Sequence, residues 1–259
     1  MNELVFTLDL EEWTHSENIS PYKDKIKSNH SSLKTISMVL DFLDKNEIKG
    51  TFFCLGLIAK KNPELIEEIS KQGHEIASHG WDHKLLHTMD SFELEEDITK
   101  TTNILAKVSG QEIVGYRSPC FSQNALLDDI LVKNGYKYTS MGIKSSFHDR
   151  YSKNEYSGEN LIDFSLPVST LINFHIPATG GGWFRLLPVY FQKFLIKNSP
   201  QNPKIFYCHP WDFDNLQGDL DFLPLITKFR HKVNVKSAFK KMNKFNFHKK
   251  PLKTFLKKK

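Results

Sequence analysis

The chain has 259 residues, 39% of them hydrophobic and 25% charged, with a net charge of +5; this suffices to bury a sizeable core in one large domain. No apolar run approaches the roughly 20 residues that span a bilayer, and the N-terminus lacks the basic and apolar regions of a secretory signal. The three cysteines, Cys54, Cys120 and Cys208, are scattered without a Cys-x-x-Cys pair, so reduced thiols in a cytoplasmic protein are expected.

Strand-like and helix-like segments alternate along the chain. "ELVFTLDL" reads as a strand, and "SSLKTISMVLDFLDKNEI" as a helix opened by a serine cap. "GTFFCLG" is a buried strand, and "NPELIEEISKQG" a helix with Pro63 in its first turn and Gly73 at its end. "HEIASH" reads as a strand. "DSFELEEDITKTTNILAKVSG" reads as a helix with Asp90 and Glu93 spaced as a capping box. "EIVGYRSP" (strand), "QNALLDDILVKNG" (helix) and "YKYTSM" (strand) follow. Residues 142–184 are less regular, with one strand-like run, "LIDFSLPV"; then come a helix near 185–198, the strand "KIFYCH" and a basic helix. Repeated β-α units imply a parallel sheet flanked by helices, as an open sheet or a barrel.

From Lys228 to the end there are 13 Lys/Arg and no Asp/Glu, leaving 22 positive against 30 negative charges before it. Such a tail can contact an anionic membrane surface; nucleic-acid binding is not expected. The spacing of Phe239, Met242, Phe245 and Phe247 also reads as a packed stripe with the lysines on its solvated face.

In parallel α/β sheets, ligands sit at the C-terminal ends of the strands. The polar residues at those ends are Asp9, Glu11 and Glu12; His79, with His83 in the following loop; Arg117; and His209, followed by Asp212. Acids, imidazoles and a guanidinium therefore gather at one pole. Two histidines and a carboxylate with open positions suit a catalytic zinc or another divalent ion. Asp9 and Glu11 are two apart and point to the same side of an extended chain, so one can bind a cation while the other stays free as a base. Arg117 can hold a carboxylate base ionised, and His209 can protonate a leaving amine. "TGGGWFRLLP" reads as a tight glycine turn carrying an exposed Trp183 and Arg185, either structural or facing a sugar ring.

Together these residues resemble the polysaccharide deacetylase, or NodB-homology, family of carbohydrate esterases. "FTLDLEEW" is similar to its first motif, "SHGWDH" to its His-x-x-x-His motif, "YRSPCFS" to its Arg-x-Pro motif and "YCHP" to its late Leu-x-His motif. "SSFHDRYS", "IPATGGGWFRLLP" and "HPWDFD" resemble the subgroup associated with exopolysaccharide and surface-polysaccharide gene clusters. The resemblance implies a distorted (β/α) barrel of about seven parallel strands and metal-dependent removal of N-acetyl groups from amino sugars. It implies Asp9 as general base, His79 and His83 as metal ligands, Arg117 orienting Asp9, and His209 as general acid; with Asp9 as base, same-side geometry favours Glu11 as the third ligand, with Glu12 as the fallback. The backbone N–H of Cys120 would hold the oxyanion, and Trp183, Arg185 and Trp211 would face the N-acetylated saccharide. The sequence departs from the family in replacing an adjacent Asp-Asp by Asp9-Leu10-Glu11-Glu12 and in placing Cys120 where a tyrosine is usual. The partner acid of His209 is Asp149 or Asp212. Other expectations compatible with the chain are a small amide or ureide hydrolase and a non-catalytic glycan-binding relative.

Overall fold

The computed structural model describes residues 3–27, 30–146, 160–216 and 220–256. In chain order, β1 (Leu4–Leu10) leads through a 3-10 turn into α1 (Ile36–Lys45) and β2 (Thr51–Cys54). Next come α2 (Gly56–Lys61), α3 (Pro63–Lys71), β3 (Glu75–Ser78), α4 (Ser91–Ser109), β4 (Gly115–Tyr116), α5 (Leu127–Lys133) and β5 (Tyr138–Thr139). β6 (Ile162–Asp163), the hairpin of β7 (Val168–Leu171) and β8 (Phe174–Pro177), α6 (Gly181–Leu186), α7 (Val189–Asn198) and β9 (Lys204–Cys208) follow. Two short helices, α8 (Leu225–Lys232) and α9 (Ala238–Met242), precede the C-terminal segment.

Seven strands form one parallel sheet in the order β6-β5-β4-β3-β2-β1-β9, curled into a half-barrel with helices outside. β1 lies next to the edge strand β9, paired with β2 from Thr7 to Leu10 and with β9 from Leu4 to Leu8. The side chains of β1 alternate, as the pleat requires. Leu4, Phe6, Leu8 and Leu10 join the cluster that contains the apolar faces of α1, α3 and α4. Val5 turns to the concave face with Phe53, Tyr138, Ile205 and Tyr207, and Thr7 and Asp9 lie on that same side. Each large apolar side chain so buried contributes roughly 1.5–3 kcal/mol. Thr7 and Asp9, polar groups on the concave face, are bonded within it to Arg117.

The N-terminal end of the strands is closed by the end of the chain. Leu252 N–H donates to Thr51 Oγ1 (2.9 Å) and Lys253 N–H to Glu75 Oε2 (3.0 Å), at the first residues of β2 and β3. Phe247 bridges to Leu4, and Met242, Phe245 and Phe247 are buried, with Phe239 half-buried against Phe213. The stripe expected in the basic tail is therefore packed core, but it does not lie on one helix: α8 and α9 are separate, and the chain is irregular after Met242.

Three local expectations change. α2 interrupts what reads as strand followed by loop, because Gly56 sits against Trp81 and the chain must turn at once. The hairpin β7–β8 is not anticipated because its turn, Ile172-Asn173, lacks the glycine that usually marks one; Ile172 itself takes φ 58°. The glycine run "TGGG" is not a free turn but the entry to α6.

Candidate active site

At the C-terminal end of β1 the chain folds back at once, with Glu11 N–H donating to Asp9 O (3.1 Å). Asp9 and Glu11 are both buried. Arg117, just beyond β4, is fully buried and crosses the concave face to reach Asp9 Oδ1 at 2.6 Å. The same Nη1 donates to Thr7 Oγ1 (3.1 Å), Nε to Ser140 O (3.2 Å) and Nη2 to Ser140 Oγ (2.8 Å). The guanidinium also lies 4.0 Å over the Phe53 ring. A buried charge held this way has one orientation. Thr7, Ser140 and Phe53 carry no chemical signal in the sequence that would single them out for this role.

Glu11, His79 and His83 each offer an atom within 4.8 Å of the other two, a set that could hold a metal ion. The loop bearing the histidines achieves this with left-handed backbone at Gly80 (φ 77°), where glycine adopts it freely, and at His83 (φ 69°), where it is strain of the kind that persists where the surroundings enforce it. His79 Nδ1 lies 2.7 Å from Arg117 O; a carbonyl only accepts, so Nδ1 carries the proton and Nε2 keeps its lone pair. Glu11 Oε2 lies 2.9 Å from His83 Nε2 yet receives no well-directed hydrogen bond. Buried donor atoms that are close but misaligned for pairing suit a shared cation. Burial opposes ionisation of Glu11, but His83, His79 and His209 hold its carboxyl well below the usual range. Burial likewise opposes charging His83, and Glu11 overcomes it, so that imidazole is pushed up.

Glu12 does different work. Its carboxylate accepts from Ser31 Oγ, from Ser32 N–H (2.8 Å) and from Ser32 Oγ (2.9 Å), tying down the turn before α1.

On the opposite wall, His209 follows β9. Its Nδ1 lies 3.1 Å from Asp212 Oδ2, which also accepts the His209 backbone N–H (2.8 Å). Nε2 points at the other groups, 3.7 Å from Glu11 Oε1 and 3.9 Å from Asp9 Oδ2. Burial disfavours the charged ring, but the hydrogen bond and charge of Asp212 outweigh it and raise the His209 pKa. Trp211 stacks on the imidazole at 4.3 Å and 10°. Of the two acids open from the sequence, Asp212 is therefore the partner of His209; Asp149 lies outside the described residues.

Arg185 requires a correction. It lines the cavity, but it is not an exposed side chain: it is 3% exposed. Nε donates to Asp212 Oδ1 (2.8 Å), and Nη1 and Nη2 donate to the carbonyls of His231, Val233 and Arg230. Burial would raise the Asp212 carboxyl, but Arg185 and His209 pull it down to about 2. Trp211, too, meets His209 by its ring face. Trp183 is half-buried on the pocket wall. α6 reaches this position because Gly180 carries no side chain: a Cβ there would lie 1.7 Å from the Tyr207 ring, and its φ is 97°.

These groups surround a cavity of about 490 Å³ lined by Asp9, Glu11, His79, His83, His209 and Trp183, among others. Cys120 is on its wall, in a turn where Cys120 and Phe121 take φ 51° and 56°. Behind the histidine loop, Asp97 of α4 accepts Trp81 N–H with both oxygens at 3.1 Å. Burial raises the Asp97 carboxyl to about 6 from its usual 3.8. Because the native state then binds that proton more tightly, the stability from this group is greatest at low pH and is lost as pH rises through about 6. Asp97→Asn is thus expected to gain on wild type by roughly 2 kcal/mol between about pH 4 and about pH 7. Denaturant unfolding at each pH measures this, and parallel curves for the two proteins would refute it.

Residues 30–139 match the polysaccharide deacetylase family model, and residues 136–252 match a model described as a domain of unknown function (DUF3473). The region of residues 30–139 is thereby assigned to the polysaccharide deacetylase (NodB-homology) family. The first matched region holds His79, His83 and Arg117, while the second holds Arg185, His209 and Asp212, so the site is built from both. A peptidoglycan deacetylase of Helicobacter pylori is 24% identical over 176 residues, covering 64% of this chain and 58% of that protein. The chain spans 17–58% of the length of the first curated relatives it matches. Among solved structures, a candidate polysaccharide deacetylase from Mycobacterium smegmatis superposes with TM-score 0.59 at 19% identity, covering 94% of this chain and 84% of that one. A family 4 carbohydrate esterase pseudoenzyme from Bacillus anthracis gives TM-score 0.54 at 12% identity over 99% of this chain and 66% of that one. At these identities the likeness is one of fold.

Proposed function

We propose that this protein is a metal-dependent hydrolase that removes N-acetyl groups from amino sugars of a surface polysaccharide or of its cytoplasmic precursor. One observation carries the reading: Glu11, His79 and His83 converge beside a braced carboxylate, Asp9–Arg117, and a braced imidazole, His209–Asp212, whose facing atoms are 3.9 Å apart. A glycan-binding module needs no such pair of proton-transfer groups beside a ligand set. The fold alone would not decide the matter, since it is shared with a pseudoenzyme.

Glu11, His79 and His83 would hold the ion, zinc being the best fit to a two-imidazole, one-carboxylate set. When bound, it would polarise the acetamide carbonyl and acidify water near neutral pH. Asp9, kept in place by Arg117, takes the proton from the attacking water. His209, kept protonated by Asp212, gives its Nε2 proton to the departing amine as the C–N bond breaks. The buried Arg185 holds Asp212, and Trp211 holds the imidazole plane, so both act through His209. The backbone N–H of Cys120 serves the developing oxyanion, and the left-handed turn at Cys120 and Phe121 fixes its direction. Trp183 contributes the aromatic wall for a sugar ring.

Acetate release from N-acetylated glucosamine oligosaccharides tests this. Release is expected to stop on chelation and to return on adding back zinc. Full activity toward small amides after exhaustive metal removal would overturn it, as would tight glycan binding with no acetate produced from any amino sugar.

A further inference from the structure

α8 differs from the rest of the basic tail in how little of it is packed. Leu225, Ile226 and Phe229 are 83%, 69% and 57% exposed. At positions i, i+1 and i+4 they fall within an arc of about 100° of the helix. Lys228 and Lys232 border this stripe on one side and Arg230 on the other; Lys228 also pairs with Asp221. Apolar residues flanked by cations on a short and otherwise polar helix are the pattern of a helix lying in a membrane interface. The helix is not loosely attached. The carbonyls of Arg230, His231 and Val233 receive the Arg185 guanidinium, and the His231 side chain is buried. Its exposed face is therefore presented in a fixed orientation. Ile226, Phe229 and Arg230 also line the site cavity, with the 44%-exposed Leu186 on the same rim. No helix among the described residues is long and apolar enough to cross a membrane.

We propose that α8 docks the protein on an anionic lipid bilayer, its apolar stripe in the headgroup boundary and its cations against lipid phosphates. Charge complementarity selects this occupant: from Lys228 onward the sequence has 13 Lys/Arg and no acid. The contact thereby moves from the C-terminal tail, much of which packs on the barrel, to the helix at the cavity mouth. Resting on the function proposed above, the orientation turns that mouth toward a saccharide carried at the membrane surface.

The test is sedimentation with phosphatidylcholine vesicles, with and without phosphatidylglycerol, at physiological ionic strength. Wild type is expected to pellet with the anionic vesicles and to stay in solution with the neutral ones. A double variant, Leu225→Glu with Lys232→Glu, changes two residues outside the cavity and should lose at least about ten-fold in partitioning, with an unchanged melting curve. Asp9→Asn should pellet as wild type does, so the docking is measured whether or not the hydrolase reading stands. The proposal falls if wild type never pellets, if neutral and anionic vesicles bind alike, or if the double variant binds undiminished. It also falls if wild type instead dimerises through this face and ignores vesicles.

Discussion

Asp9→Asn is expected to lower the rate of acetate release by roughly 10²–10⁴-fold, while the metal content and the melting temperature stay close to those of wild type. The reason is in what the substitution keeps. Asparagine still presents an oxygen to the Arg117 guanidinium, 2.6 Å from Asp9 Oδ1 in the native protein, so the buried cation retains an acceptor. What it removes is the basic lone pair. Deleting the side chain altogether would confuse the two effects, because stripping a partner from a buried charge costs about 3–5 kcal/mol. The measurement is acetate release at saturating substrate alongside metal analysis of the same samples. Undiminished release with metal retained would remove Asp9 from the proton transfer and leave the proposed chemistry without its base.

The second large effect separates two adjacent acids. Glu11→Gln should weaken metal binding on the order of 100-fold or more, since a ligand itself is removed and even supporting groups are worth 10–100-fold. Glu12→Gln should keep the metal and instead cost about 1 kcal/mol of stability, the usual worth of a cap. The difference follows from where each carboxylate is spent. Glu11 faces His79 and His83, whereas Glu12 is bonded to Ser31 and Ser32. Metal titration and thermal melts of both variants decide it, and loss of metal in Glu12→Gln alone would invert the assignment.

Arg185 and Arg117 are both buried guanidiniums paired to a carboxylate of the site. Each braces a carboxylate to which the proposed reaction assigns a role, Arg117 at Asp9 and Arg185 at Asp212. The two braces come from the two differently matched regions. β9, in the second region, pairs with β1, which precedes both, and so brings His209 Nε2 to 3.7 Å from Glu11 Oε1. The region described as of unknown function thus supplies the imidazole side of the cavity.

How much of this was legible before folding differs from residue to residue. The parallel sheet follows from alternating β and α periods, and its C-terminal pole follows from that topology. Asp9, His79, His83, Arg117 and His209 could therefore be placed at one end of the barrel from their positions at strand ends. Same-side geometry on an extended chain separated Glu11 from Glu12, and the turn at Leu10 preserves that separation because Glu11 N–H folds back onto Asp9 O. These are local rules, set within a few residues of each atom they place.

The supporting contacts obey no local rule. Arg185 follows a glycine run, which reads as an exposed turn. Only the close approach of Tyr207 to Gly180 makes that run the start of a helix and sends Arg185 inward to Asp212. Asp212 and Asp149 are equal candidates on paper, and the 3-10 turn after His209 brings Asp212 back onto the imidazole. The lysine-rich end reads as a surface charge run, yet Leu252 and Lys253 close the base of the barrel through Thr51 and Glu75, some 200 and 180 residues away. Strand periodicity and strand-end chemistry are short-range and survive in the bare sequence. Which buried polar group satisfies which is settled only when desolvation makes an unpaired one too costly, and that happens when the chain has closed on itself.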